Sequence, residues 1–150
     1  MKNIIKTFML LLVFAGMASC SEDVGYIDPG PQGNPEKEVA GTYNGTWTET
    51  LQSTGEQKTA AGYITLTPSD KAFIADVQVS CPDLKVDMQS AANVVNNSLG
   101  YTYYNQESKN GFGTAFVGEV KGDDATIKFT KTIKVGLKQS IYVYTFTGSK

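Results

Sequence analysis

The chain carries few residues that could perform acid–base, nucleophilic or metal chemistry. Among its 150 residues there is no His, and all 13 cationic side chains are Lys because no Arg occurs. His is the commonest general base and metal ligand, so Ser-His-Asp and Cys-His catalysis is excluded. We therefore predict that the protein is not an enzyme and that it uses no cofactor and no metal.

The charge balance argues against a nucleic-acid partner. Asp and Glu number 15 against 13 Lys, which gives a formal net charge of −2. Nucleic-acid binding proteins neutralise phosphates with cationic side chains and read base edges with Arg in particular. A mildly acidic chain without Arg lacks both features, so we predict no binding to nucleic acid.

Two polar features are the remaining candidates for a metal-binding or reactive site. Asp83 and Asp87 flank three residues, but the Gly and the terminal Glu of a calcium loop are missing, which favours solvated charges. Cys81 precedes Pro82 at the end of a predicted strand, and no His, Arg or second Cys stands beside it in sequence to activate the thiol. A lone Cys in that position is expected to be a buried, free thiol.

Aromatic side chains are the strongest candidates for contact with a ligand. Inward-facing rings could line a small apolar cavity, and exposed rings could stack on sugars. The alternative, which we favour, is that the same rings pack against one another within the sheet. The candidate ligand-binding residues are Tyr43, Trp47, Tyr101, Tyr103 and Phe116.

The N-terminal residues have the pattern of an export signal. Lys2 and Lys6 precede an uncharged apolar run at residues 8–15. That run is much shorter than the about twenty apolar residues needed to span a membrane, and it matches the apolar core of a secretory signal peptide. We predict that residues 1–19 form a signal peptide that is removed after export.

The end of the predicted signal peptide also indicates a lipid anchor. Residues 17–20 read Met-Ala-Ser-Cys and resemble the bacterial lipobox, which implies that Cys20 is lipidated and becomes the mature N-terminus. Two or more acyl chains hold a protein stably on a membrane. The alternative is an ordinary cleavage site, with Cys20 free to form a disulfide.

The residues after Cys20 bear on location and on domain boundaries. Residues 21–23 read Ser-Glu-Asp and resemble the surface-export signal of lipoproteins from Bacteroidetes, which implies an outer-membrane protein at the cell surface. Residues 24–38 contain three Pro and three Gly and few apolar side chains, so they cannot form a packed core. We predict a lipidated Cys and flexible tether at residues 20–38 and one domain at residues 39–150.

Residues 39–150 alternate between apolar and polar side chains with a period of two, which predicts β-strands. In the first strand Tyr43 and Trp47 are expected to point inward, with Thr46 and Thr48 outward. Eight short strands joined by short connections favour an eight-stranded antiparallel up-and-down β-barrel, with a β-sandwich as the alternative. The expected protein is a monomer. The predicted strands lie around residues 42–51, 60–66, 73–80, 84–89, 99–105, 112–120, 127–130 and 140–147, and residues 91–97 are predicted to be an irregular connection.

The opening and closing strands resemble those of a known family. Residues 39–43 read Val-Ala-Gly-Thr-Tyr and lead into the Gly-x-Trp of residues 45–47, as in lipocalins. With a Gly-rich hairpin at 118–124 and Tyr-Thr-Phe-Thr-Gly at 144–148, the chain resembles the small calycin-like barrel domain of Bacteroidetes lipoproteins. Lipocalins set an Arg from the last strand against this Trp, and here Lys138, or no residue, takes that place.

Two functions remain open from the sequence. The first is binding of a small apolar or amphipathic ligand inside the barrel, where Gly45, Ala75 and Gly118 on inward faces could leave room. The second is a structural or interaction lipoprotein whose filled barrel contacts an envelope partner or a glycan through its loops. A cavity above roughly 300 Å³ would favour the first function, and a filled core would favour the second.

Overall fold

A computed structural model describes residues 33–105 and 115–150. The predicted signal peptide, Cys20, most of the predicted tether and the first residues of the predicted strand at 112–120 lie outside the described residues. No helix in the described ranges is long and apolar enough to cross a membrane.

The described residues form one short helix and eight strands. The eight strands follow the helix, and a 3₁₀ turn at Pro82–Leu84 joins the third strand to the fourth. The elements are α1 (Pro35–Glu38), β1 (Gly41–Leu51), β2 (Gln57–Pro68), β3 (Ile74–Cys81), β4 (Val86–Asn97), β5 (Gly100–Asn105), β6 (Phe116–Lys121), β7 (Asp124–Val135) and β8 (Lys138–Ser149).

The strands close into a barrel. Each strand pairs antiparallel with the next in sequence, and β8 returns to pair antiparallel with β1. The prediction of an eight-stranded up-and-down barrel is therefore confirmed, and the sandwich alternative is wrong. Closure satisfies the backbone donors and acceptors that an open sheet would leave along its two edges.

Alternation along each strand separates the core from the surface. In β1, Tyr43 and Trp47 are fully buried and Thr46 is exposed, while Thr48 is half-buried on the outer face. The predicted inward register of β1 is confirmed. The same period of two gives β3, β6 and β8 an inner apolar face, because successive side chains of a strand point to opposite sides.

Two expectations about strand boundaries are wrong. Residues 91–97, predicted to be irregular, continue β4, which pairs with β3 on one side and with β5 on the other. Their inward side chains, Ala92 and Val94, differ too little in polarity from outward Val95 to reveal the alternation. Phe73, the first residue of the predicted strand at 73–80, instead lies in the preceding turn with φ +63° and 51% exposure.

Helix α1 packs against one end of the barrel, which we call the α1 end. Glu36 is buried and its Oε2 accepts a hydrogen bond from the Phe73 N–H at 3.1 Å. Val39 is fully buried, and its carbonyl oxygen accepts a hydrogen bond from the Tyr43 hydroxyl at 2.8 Å. The packed structure therefore begins at Pro35, four residues before the predicted start of the domain at residue 39.

Glycines allow aromatic rings to lie directly on the barrel wall. A Cβ built on Gly118 would overlap the ring of Tyr103, and a Cβ built on Gly62 would lie 2.6 Å from Cδ1 of Trp47. Each ring therefore occupies the space that a side chain on the neighbouring strand would need. Substitution at either glycine must displace a buried aromatic residue, which close-packed interiors tolerate poorly.

Replacing Gly118 by Ala is expected to lower the free energy of unfolding by about 1–3 kcal/mol, because the added methyl group overpacks the interior against Tyr103. Urea denaturation followed by circular dichroism measures the change. Val117→Thr, on the exposed side of the same strand, is the matched control and should change the value by less than about 0.5 kcal/mol. Equal urea midpoints for Gly118→Ala and the unmodified protein would show that Tyr103 does not pack on this glycine.

Candidate functional site

The structure brings the five predicted ligand-binding aromatics to the inside of the barrel. Tyr43, Trp47 and Tyr103 have no exposed surface, and Phe116 is 3% exposed. Tyr101 is half-buried and packs against the edge of the core. These residues come from β1, β5 and β6, so the inward faces of separate strands place them in one interior.

Ring-to-ring contacts fill that interior. Trp47 lies 5.2 Å from Phe146 and 5.9 Å from Phe129, measured between ring centroids. Phe129 in turn stacks on Tyr144 at 5.1 Å, and Tyr103 contacts Phe116 at 6.4 Å. Pairs at these separations are within the range of favourable aromatic packing. The candidate residues therefore have other side chains of the protein as their contacts.

Trp47 has one polar atom with no hydrogen-bond partner. Its indole Nε1 is buried and unpaired in the described structure, and it faces the wall of the barrel at Gly62. Leaving a buried donor unpaired costs about 1–3 kcal/mol. The position opposite Trp47 in β8 is held by Phe146, whereas Lys138 lies exposed at the far end of that strand. No cation takes the place of the lipocalin Arg in the described residues.

The end of the barrel opposite α1 holds an ionisable pair that the sequence analysis did not select. The Tyr144 hydroxyl donates a 2.6 Å hydrogen bond to Oε2 of Glu49. Burial raises the pKa of Tyr144, and the hydrogen bond to Glu49 raises it further. A hollow of about 50 Å³ beside this pair is lined by Glu49, Leu51, Glu56, Lys58 and Tyr142. Glu49 continues the inward series of Tyr43 and Trp47 in β1. This period-two spacing is the feature of the sequence that could have identified Glu49 as an inward residue.

A concavity larger than the roughly 300 Å³ of a small-ligand site lies on the outside of the barrel in the described residues. A groove of about 340 Å³ runs over β6, β7 and β8. Most of its lining positions alternate with the inward residues and so face outward, such as Val117, Thr126 and Lys128. Inside, the space beside Gly118 is taken by Tyr103, and a Cβ on Gly45 would meet the backbone of β8. The room that small residues were expected to leave for a ligand is thus occupied at these two positions.

The other polar candidates differ in exposure. Asp83 and Asp87 are both exposed, as expected for solvated charges. Cys81 is fully buried at the end of β3, and its thiol donates a 3.4 Å hydrogen bond to the Ala61 carbonyl, so the predicted buried, free thiol is confirmed. Within residues 33–105 and 115–150, no three His, Cys, Asp or Glu side chains form a group that could hold a metal ion.

Comparisons with known proteins provide no relative from which a role could be transferred. Neither the family models, nor the curated proteins, nor the solved structures contain a match to this chain. The closed eight-stranded barrel is the architecture that the resemblance to calycins implies.

Three tyrosines should make the fold sensitive to alkali. Burial raises the pKa of Tyr43, Tyr103 and Tyr144 above the ordinary value of 10. Above pH 10 the unfolded state releases the protons of these tyrosines while the folded state keeps them. The free energy of unfolding is therefore unaffected by these groups below pH 10 and falls as the pH rises above 10. Absorbance at 295 nm and circular dichroism should change together during an alkaline titration.

The Tyr144→Phe variant is the control for this titration. It removes one of the three shifted groups, so its stability should fall less steeply above pH 10 than that of the unmodified protein. Reversible ionisation of all the tyrosines near pH 10 with the circular dichroism unchanged would contradict the buried, neutral state of these side chains.

Proposed function

We propose that the chain is a lipid-anchored protein of the outer membrane and cell surface whose filled barrel acts as a non-catalytic scaffold for an interaction surface. The observation that carries this choice is the burial of Tyr43, Trp47 and Tyr103, which leaves none of their surface open to a ligand. Of the two functions open from the sequence, interaction through the outside of the barrel fits this packing better than storage inside it.

The anchor is supported by the order of the N-terminal sequence features. An apolar run at residues 8–15 is followed by the lipobox-like residues 17–20, the acidic residues 22 and 23, and then the Pro- and Gly-rich segment. In the proposal, Cys20 carries the acyl chains and the following residues form a flexible connection between the anchor and the barrel. Two or more chains supply enough buried hydrocarbon for stable attachment.

The barrel suits a scaffold because its inner and outer faces are chemically separate. The inner face is a continuous cluster of buried apolar side chains, which gives the strands a rigid common core. The outer face and the connections are free to vary without disturbing that core, as is usual for binding proteins built on a rigid framework. A monomer is part of the proposal, since the closed barrel needs no second copy to cover an edge.

The filled interior predicts that the protein carries no small molecule inside the barrel. Native mass spectrometry of protein purified from the producing cells should give the mass of the acylated polypeptide and nothing more. The same sample, measured after unfolding in acid, is the control for covalent groups. A companion mass that is present in the native spectrum and lost on unfolding would instead support ligand storage.

Replacing Cys20 by Ser should abolish incorporation of labelled palmitate, because the thiol that accepts the lipid is gone, and should either release the protein from the membrane fraction or strand it as the unprocessed precursor. Cys81→Ala is the matched control, since Cys81 is buried in the barrel and should leave labelling and fractionation unchanged. A Cys20→Ser protein that stays in the membrane with the same processed mass would overturn the anchor.

A further inference from the structure

The charges of this chain are unevenly distributed along the sequence. All 15 Asp and Glu side chains lie before residue 125, whereas residues 125–150 contain five Lys and no acidic residue. Four of these lysines belong to β7 and β8, which form the last hairpin of the barrel. The hairpin is therefore cationic on a chain whose net charge is negative. The lysines after residue 125 are Lys128, Lys131, Lys134, Lys138 and Lys150.

The tip of this hairpin extends beyond the end of β1, its neighbour on the β8 side. β1 ends at Leu51, opposite Tyr142 of β8, yet β7 and β8 stay paired as far as Val135 and Lys138. Among the described residues, the strand pairing of residues 132–141 is confined to the hairpin, and a further backbone hydrogen bond of 2.9 Å, from the Gln52 N–H to the Ile141 carbonyl, joins its base to the turn after β1. We call residues 132–141 the projecting hairpin. From Tyr142 to Lys138 it extends about 13 Å, at ~3.3 Å per residue.

Large aliphatic side chains are exposed at the end of the projecting hairpin. Leu137 is fully exposed, Val135 is 74% exposed and Ile133 is 43% exposed. Gly136, with φ +62°, opens the two-residue turn, as tight hairpin turns require. Lys134 and Lys138 flank the turn and are exposed as well. The tip thus combines an apolar end with cations immediately behind it.

We infer that the projecting hairpin is a docking site for the surface of a phospholipid bilayer with anionic headgroups. Val135 and Leu137 enter the boundary between headgroups and acyl chains, and Lys134 and Lys138 remain at the level of the phosphates. Aliphatic side chains combined with Lys are the pattern of segments that lie in a membrane interface. Lysines near an anionic bilayer add electrostatic attraction.

Charge and apolarity together favour a bilayer over other anionic partners. A soluble polyanion would be held by the lysines alone and would gain nothing from a fully exposed Leu at the turn. A bilayer uses both features, because its phosphates attract the cations and its hydrocarbon accepts the aliphatic groups. The site lies at the barrel end opposite α1 and uses no residue of the proposed anchor.

Binding to vesicles tests this inference without the lipid anchor. Residues 33–150 form a compact unit with its own core, so a chain that begins at Ser21 retains the barrel and lacks the acyl chains. Co-sedimentation is measured with vesicles of phosphatidylcholine alone and with vesicles in which about a third of the lipid is phosphatidylglycerol. Binding is expected to the anionic vesicles and to weaken as salt is added.

Two sets of variants separate the contributions of charge and apolarity. Lys134→Gln with Lys138→Gln should weaken binding about 25-fold, at about fivefold per lysine. The control is Lys37→Gln with Lys71→Gln, which makes the same charge change at exposed positions at the α1 end and should leave binding nearly unchanged. Leu137→Asn should also weaken binding, and circular dichroism should show the same fold in every variant.

Each contrary result overturns the inference in a recognisable way. If the control pair weakens binding as much as Lys134→Gln with Lys138→Gln, net charge rather than the hairpin is responsible. If Leu137→Asn binds the vesicles as well as the unmodified chain does, the hairpin recognises a polyanion and not a bilayer. If the protein does not bind anionic vesicles at all, the docking site does not exist. None of these results bears on lipidation of Cys20, which is tested separately.

Discussion

The closure of β8 onto β1 is the constraint on which the rest of this structure depends. Antiparallel pairing from Asn44 with Ser149 to Leu51 with Tyr142 joins the two ends of the sheet. Once eight strands are closed, the interior is just wide enough to be filled by side chains or to hold one small ligand. Every inward residue then faces the others across a short distance, and their summed volume decides which of these outcomes occurs.

In this barrel the volume is used by aromatic rings. Trp47 stands opposite Phe146 across the closing pair of strands, and the rings of Phe129 and Tyr144 extend the same cluster. Room for such large groups comes from residues without side chains, of which Gly62 and Gly118 are the clearest cases. Small residues on an inward face therefore do not reveal, from sequence alone, whether the barrel holds a ligand. The space beside them accommodates a packed aromatic ring as well as it would accommodate a ligand.

Local alternation was sufficient to predict most strands but not the contacts between them. It worked for β1, where large aromatic residues alternate with Thr, and it failed in the second half of β4, where Ala92 and Val94 face inward and Val95 faces outward. There the pairing with β3 and β5 imposes the strand. The hydrogen bond from Tyr144 to Glu49 joins residues 95 apart in sequence, so spacing could place Glu49 inside without identifying its partner.

The projecting hairpin is the part of the barrel whose composition the core does not explain. Its side chains beyond Tyr142 bury no surface against the cluster around Trp47, and a two-stranded hairpin alone in water is only marginally stable. Residues 132–139 are exposed throughout, so packing places no demand on them, whereas Ser140 and Ile141 at the base of the hairpin are half-buried. An exposed Leu in the turn would favour neither solubility nor the fold. After Asp124, β7 and β8 contain no acidic residue, so the lysines of the hairpin repel one another without a compensating negative charge. Both features become favourable when an anionic, partly apolar surface lies against the tip, which is why the hairpin is better explained by contact with a bilayer than by the needs of the barrel.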